Sequence, residues 1–174
     1  MNVLRFALCS MVAFGMPAAF AQSAGPTDAQ IAAIVVAANQ VDIDAGKAAV
    51  AKAQSKEVKA FAQQMITDHS GVNKQAVELV TKLKVKPEEN DTSAALKRGG
   101  AESAAKLDKL KGADFDRAYV AQEVAYHQSV IDALDKTLVP NAKNAELKAL
   151  LVKVRPAFVA HLEHARSLQG KLGK

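Results

Sequence analysis

Apolar residues recur along this chain at intervals of three and four, the spacing of helices with one buried face, and polar clusters interrupt the pattern only at a few points. Thr27 or Asp28 is placed to cap a first helix over residues 28–53, with Ile31, Ile34, Ala38, Val41, Ala45 and Ala48 on one stripe. Ser55 followed by Lys56-Glu57 reads as a new cap with an acid in the first turn, where it complements the helix dipole. A second helix over 56–84 then carries Val58, Phe61, Met65, His69, Val72, Ala76, Leu79 and Leu83, and it stops before Pro87. The two form a tight hairpin.

From Lys86 to Gly112 the pattern weakens. A polar connection comes first, and Gly99-Gly100 is expected to break any helix begun at Thr92 or Ser93, which leaves a short helix over 101–110. Gly112 is expected as a stop and Asp114 as the next cap. A helix over 114–138 presents Val120, Val124, His127, Ile131, Leu134 and Leu138, and Pro140-Asn141 closes it. The last, over 144–172, lines up Leu147, Leu151, Val154, Phe158, His161, Ala165, Leu168 and Leu172, with a kink expected at Pro156. The expected fold is all-α: a four-helix bundle of two hairpins, with a short extra helix in the crossover. Ser55-Lys56-Glu57-Val58 and Asn144-Ala145-Glu146-Leu147 open the second and fourth long helices alike, which is either an echo of duplication or shared helix-start chemistry.

The first residues change the picture of where the protein works. Arg5, an apolar run from Phe6 to Phe20 and the small-x-small site Ala19-Phe20-Ala21 read as a signal peptide over residues 1–21, ahead of a single domain over 22–174. About 15 apolar residues fall short of the roughly 20 needed to span a bilayer, so no transmembrane segment is expected in the mature chain. Cys9 is the one cysteine and would leave with the leader, so neither disulfides nor thiolate ligands are expected. The expected location is exported, in the periplasm or associated with the outer membrane.

Composition excludes more than it suggests. The net charge of +5 falls by one when Arg5 is removed and is spread along the chain; with no Trp and two Tyr there is no basic and aromatic pattern for nucleic acid. No Cys-x-x-Cys-His motif points to heme, and no nucleophile turn points to a catalytic residue.

What stands out is histidine. His69, His127 and His161 each fall on the apolar stripe of a different helix, with a carboxylate close by in sequence, whereas His164 lies off the stripe. In a first hairpin turning near Gln54, Asp44 and Asp42 fall within about one turn of Asp68 and His69. In a second hairpin turning near Asn141, His161 lies level with about Ala121 and close to Glu123, while His127 sits about one and a half turns away along the axis. Imidazole and carboxylate are the donors that iron, manganese, zinc or copper take, and bundle cores bring them in from facing helices. The candidate metal set is His69, His127, His161, Asp68, Glu123 and Asp44. The di-iron pattern Glu-x-x-His is absent, and histidines that only hydrogen-bond to carboxylates are the competing account.

Gly46 to Ala53, Glu57 to Ala62, Met65, Asp68-His69, Asp114-Phe115-Asp116, Tyr119-Val120, His127 and His161-Leu162, in this order, resemble the exported bacterial family called domain of unknown function 4142. The resemblance implies a ferritin-like helical bundle of the cell envelope with no settled activity, its Asp-His pair falling on Asp68 and His69 and its later histidines on His127 and His161. Two functions are therefore carried forward. One is a non-enzymatic structural or stress-related envelope protein with a protein partner or a second copy of itself. The other is a metal-binding redox or storage protein holding a transition metal ion.

Overall fold

A computed structural model describes residues 25–173; the expected leader, residues 1–21, lies outside them. The chain forms α1 (Asp28–Lys52), α2 (Lys56–Lys82), α3 (Asp91–Asp108), α4 (Gly112–Ala133) and α5 (Ala145–Leu172), and a π-helical turn (Leu134–Leu138) with a last short turn (Val139–Asn141) prolongs α4. Strands are absent among the described residues, and no helix there is long and apolar enough to cross a membrane. α1 pairs with α2 and α4 with α5, the two hairpins pack together, and α3 lies along the outside of α1.

Local chemistry accounts for most of the boundaries. Thr27 and Gln30 form a reciprocal capping box at the start of α1, Ser55 accepts the Val58 N–H at the start of α2, and Asn144 accepts from Glu146 and Leu147 at the start of α5. α4 begins at Gly112, not at Asp114; the glycine takes φ +57°, open to it without strain, and Asp114 pairs instead with Arg117 in the first turn. α5 continues through Pro156 as one helix.

α3 is the main departure from expectation, since it runs unbroken through Gly99-Gly100 for 18 residues instead of starting at Ala101. Asn90 caps it and shares a capping box with Ser93. A Cβ on Gly100 would lie 2.8 Å from Val41, so the missing side chain is what lets α3 approach α1. The helix gains packing that outweighs the weak propensity of two glycines, about 1 kcal/mol each.

Two carboxylates lock the hairpins to each other. Asp116 of α4 accepts the backbone N–H groups of Gln54 and Ser55 in the α1–α2 turn, at 2.9 and 2.7 Å. Asp28 of α1 accepts those of Lys143 and Asn144 in the α4–α5 turn, at 2.9 and 3.0 Å. Each hairpin completes the other's turn.

The core divides into two apolar clusters. One gathers Ile31, Val35, Val72, Ile131, Leu151 and Phe158; the other gathers Val58, Phe61, Met65, Phe115, Tyr119 and Leu168. Between them each helix of the two hairpins contributes buried polar residues at one level: Asn39 and Asp42 from α1, His69 from α2, Glu123 and His127 from α4, His161 from α5. A polar layer across the middle of a bundle is costly unless its members satisfy one another or a guest.

Candidate metal centre

The stripe read on α1 is displaced by about one residue from the one that faces the core. Ile31, Val35, Asn39, Asp42, Gly46 and Ala49 are buried at steps of three and four, whereas Val41, Ala45 and Ala48 are half-buried and line a groove of about 620 Å³ between α1 and α3. Because α1 is covered on two sides, apolar residues alone do not mark its inner face. Gly46 lets it come close there: a Cβ would lie 3.0 Å from the Ala62 carbonyl oxygen of α2.

The three imidazoles that the sequence set on separate stripes do meet. Their ring centroids are 5.5 Å apart for His69 and His127, 5.4 Å for His69 and His161, and 5.3 Å for His127 and His161. Each ring offers a nitrogen within 4.8 Å of those of the other two, and all three residues are buried. Glu123 is buried beside them, with Oε2 3.4 Å from His127 Nδ1. Asp68 contributes from outside: its carboxylate, 41 % exposed, accepts from His161 Nε2 at 2.9 Å. Asp44 does not join the cluster. It is 61 % exposed and holds Gln40 and Lys47, because two residues along a helix is about 200° of rotation and Asp42 already points inward. Asp42 takes the inward place, with Oδ2 3.1 Å from His69 Nε2 and 3.5 Å from His127 Nε2.

The outer hydrogen bonds decide which nitrogen of each ring faces the others. Asn39 donates its Nδ2 to the Val35 carbonyl at 2.8 Å, so its Oδ1 faces His69 Nδ1 at 2.7 Å and that nitrogen must carry the proton. His127 Nδ1 donates to the Glu123 carbonyl at 3.1 Å, and His161 Nε2 donates to Asp68. The remaining nitrogens, His69 Nε2, His127 Nε2 and His161 Nδ1, are lone pairs, and each is buried without a hydrogen-bond partner. Both Asp42 oxygens and Glu123 Oε2 are likewise unpartnered. Lone pairs that converge from three rings and two carboxyl groups repel unless a proton or a cation lies among them.

Burial sets the protonation accordingly. Desolvation, with the neighbouring histidines, pushes His69 down to about 2; desolvation and then His161 push His127 down to about 4. His161 is lowered by burial against the opposing pull of Asp68. All three are neutral at pH 7, the form that binds metal. Burial raises Asp42 to about 7 and holds Glu123 well above the usual carboxylate range, with Asp42 adding to the shift. Tyr119 and Tyr126 are also raised by burial, and the Tyr126 hydroxyl donates to the Ala38 carbonyl at 2.8 Å.

Asn39 was not singled out from sequence, and Asp42 was placed at this level but not in the candidate set. The available signal was their place in the series Ile31, Val35, Asn39, Asp42, Gly46 and Ala49, as regular as the apolar stripe beside it.

The sequence matches the profile described as Domain of unknown function (DUF4142) over residues 15–168. No curated protein matches it in sequence. Among solved structures, that of CopM in the Cu(II)-bound form superposes with a TM-score of 0.67 at 18 % identity, covering 84 % of this chain and 98 % of that one. At that identity the likeness speaks to the all-α fold.

Proposed function

The chain belongs to the DUF4142 family, and from the layer at its centre we propose that it binds one divalent late first-row ion, of the copper or zinc kind, through His69, His127, His161 and Asp42. The observation that carries this reading is the set of three outer acceptors, Asn39, the Glu123 carbonyl and Asp68, each holding one ring proton so that three lone pairs point at one another. Ligating histidines are held in this way in metalloproteins, by a carboxylate, a carbonyl or its equivalent on the other nitrogen. Nitrogen and oxygen donors without sulfur suit Cu(II) or Zn(II). That a protein of the same fold has been solved with Cu(II) supports the reading.

A divalent ion would also take the place of the protons that burial keeps on Asp42 and Glu123, whose two charges would then balance its own. Four protein donors in a buried, closed site favour holding an ion over turning over a substrate. The leader expected over residues 1–21 supports a protein of the periplasm or outer membrane, where such a bundle would store or buffer the metal.

The test is a titration of the purified, chelator-treated protein with Cu(II) and with Zn(II), beside a His69→Ala, His127→Ala, His161→Ala triple variant. One ion per chain in the parent, with nitrogen hyperfine structure in the Cu(II) spectrum, and none in a folded variant supports the reading. No stoichiometric ion in the parent sinks it, and the layer is then a hydrogen-bonded core of an envelope protein whose role lies with a protein partner.

A further inference from the structure

Beside the polar layer lies a cavity of about 180 Å³ that nothing in the metal reading uses. Its walls are Ile34 of α1, Leu96 of α3, Val130 of α4, Leu134 of the π-helical turn, and Leu151 and Phe158 of α5. Asn39 and the His69 ring, both buried, close its inner end, and Thr92 and Ser129 stand exposed at its rim.

We propose that this cavity is a binding site for small uncharged apolar molecules, up to about the size of benzene. Three observations converge on it. The volume is of the order that keeps an apolar cavity dry and lets it take benzene or xenon, about 150 Å³. Most of its few polar groups are already engaged: Asn39 with His69 and Val35, the Tyr126 hydroxyl with Ala38, the Ser129 hydroxyl with the Ala125 carbonyl; the Thr92 hydroxyl stands at the exposed rim. The wall itself is built by a helix irregularity, for the Val139 N–H reaches back to the Leu134 carbonyl, and both Leu134 and Leu138 line the space. Single π turns of this kind concentrate at functional sites, where they re-aim side chains at a price in regularity.

The guest would lie against His69, whose ring is sandwiched with Phe158 at 5.2 Å and 5° between planes. Its site is thus adjacent to the ion-binding layer yet distinct from it, and it stands whether or not an ion binds.

Benzene is the probe, added to metal-free protein and followed by NMR of side-chain resonances together with the melting temperature. Saturable shifts confined to His69, Phe158 and Leu134, with a melting temperature raised by a few degrees, are expected. Benzoate, of the same shape but charged, should produce neither. Val130→Phe and Leu96→Phe fill the cavity from α4 and from α3, and each should weaken benzene binding at least tenfold; Leu96 lies on the outer helix, so its variant keeps the test open if the other does not fold. Wild-type resonances that do not move, or equal saturation in a folded filled variant, overturn the proposal. Titrating Cu(II) into the same two variants tests the metal reading separately, because neither Val130 nor Leu96 is a donor.

Discussion

Asn39 accepts the Nδ1 proton of His69 at 2.7 Å, and this one contact turns the other nitrogen of the ring toward Asp42 and the remaining histidines. The amide is itself oriented by its bond to Val35, so the constraint passes from the α1 backbone to the ring on α2. Asn39→Ala is therefore expected to weaken ion binding about 10–100-fold, the usual effect of removing such a support, with helix content unchanged. Competition against a chromophoric chelator, beside far-ultraviolet circular dichroism, measures both. An affinity equal to the parent's would remove the orienting role.

Stability of the metal-free protein should depend on pH in two opposing ways. His69 and His127 have folded values of about 2 and 4, below their ordinary 6.5, so the unfolded chain takes up protons that the folded rings refuse, and their contribution is lost as the pH falls below about 6.5, toward 4 for His127 and toward 2 for His69. Asp42 is raised from 3.8 to about 7, so its contribution is greatest below its unfolded value and is lost as the pH rises through 7. Between pH 6 and 8 the two effects nearly cancel: Asp42 loses about 1 kcal/mol while His69 and His127 together regain about as much, as the unfolded rings release their protons. Urea melts in the presence of chelator at pH 6 and 8 measure the balance: the parent should change little, whereas Asp42→Asn, left with the histidine contribution alone, should gain stability by about 1 kcal/mol as the pH rises.

Gly46→Val is expected to destabilise by about 2 kcal/mol, because the new Cβ meets the Ala62 carbonyl oxygen and Ile66 at 3.0 Å. For a domain of this size that is roughly 4–8 °C in melting temperature. The same substitution pushes α1 off α2 one turn from Asp42, so ion affinity should fall with it. Gly99→Val, where nothing lies within 4 Å, is the control for helix propensity alone.

Asp116→Ala should cost about 1–3 kcal/mol, since the N–H groups of Gln54 and Ser55 lose their shared acceptor in a part-buried turn. Asp116→Asn keeps one acceptor oxygen and should lose less. Thermal melts of the two variants at one pH compare them directly.

Much of the fold was legible because capping residues and apolar spacing agreed: Thr27, Ser55 and Asn144 each cap as read. α3 was not, because its continuity through Gly99-Gly100 depends on Val41 of another helix, which no local pattern contains. Glu123, His127 and His161 were found as ligand candidates, but the hairpin arithmetic separated His127 from His161. α4 is prolonged to Asn141 and α5 starts at Ala145, so the pivot is near residue 143 and His161 lies only about 3 Å along the axis from His127. Asp42 was placed beside Asp44 at the level of Asp68 and His69 but left out of the candidate set, because level along the axis does not say which of two residues about 200° apart points inward.

The crossed carboxylates Asp28 and Asp116 also bear on how many units this architecture can contain. In a repeat array every unit leaves an open face for its successor, and growth is limited only by a terminal cap. Here each hairpin spends its acceptor on the other's turn and has its own turn filled in return, so the pair is saturated: a third hairpin would find no vacant acceptor and no unfilled turn. The two hairpins that open on Ser55-Lys56-Glu57-Val58 and Asn144-Ala145-Glu146-Leu147 thus form a unit whose valence is two.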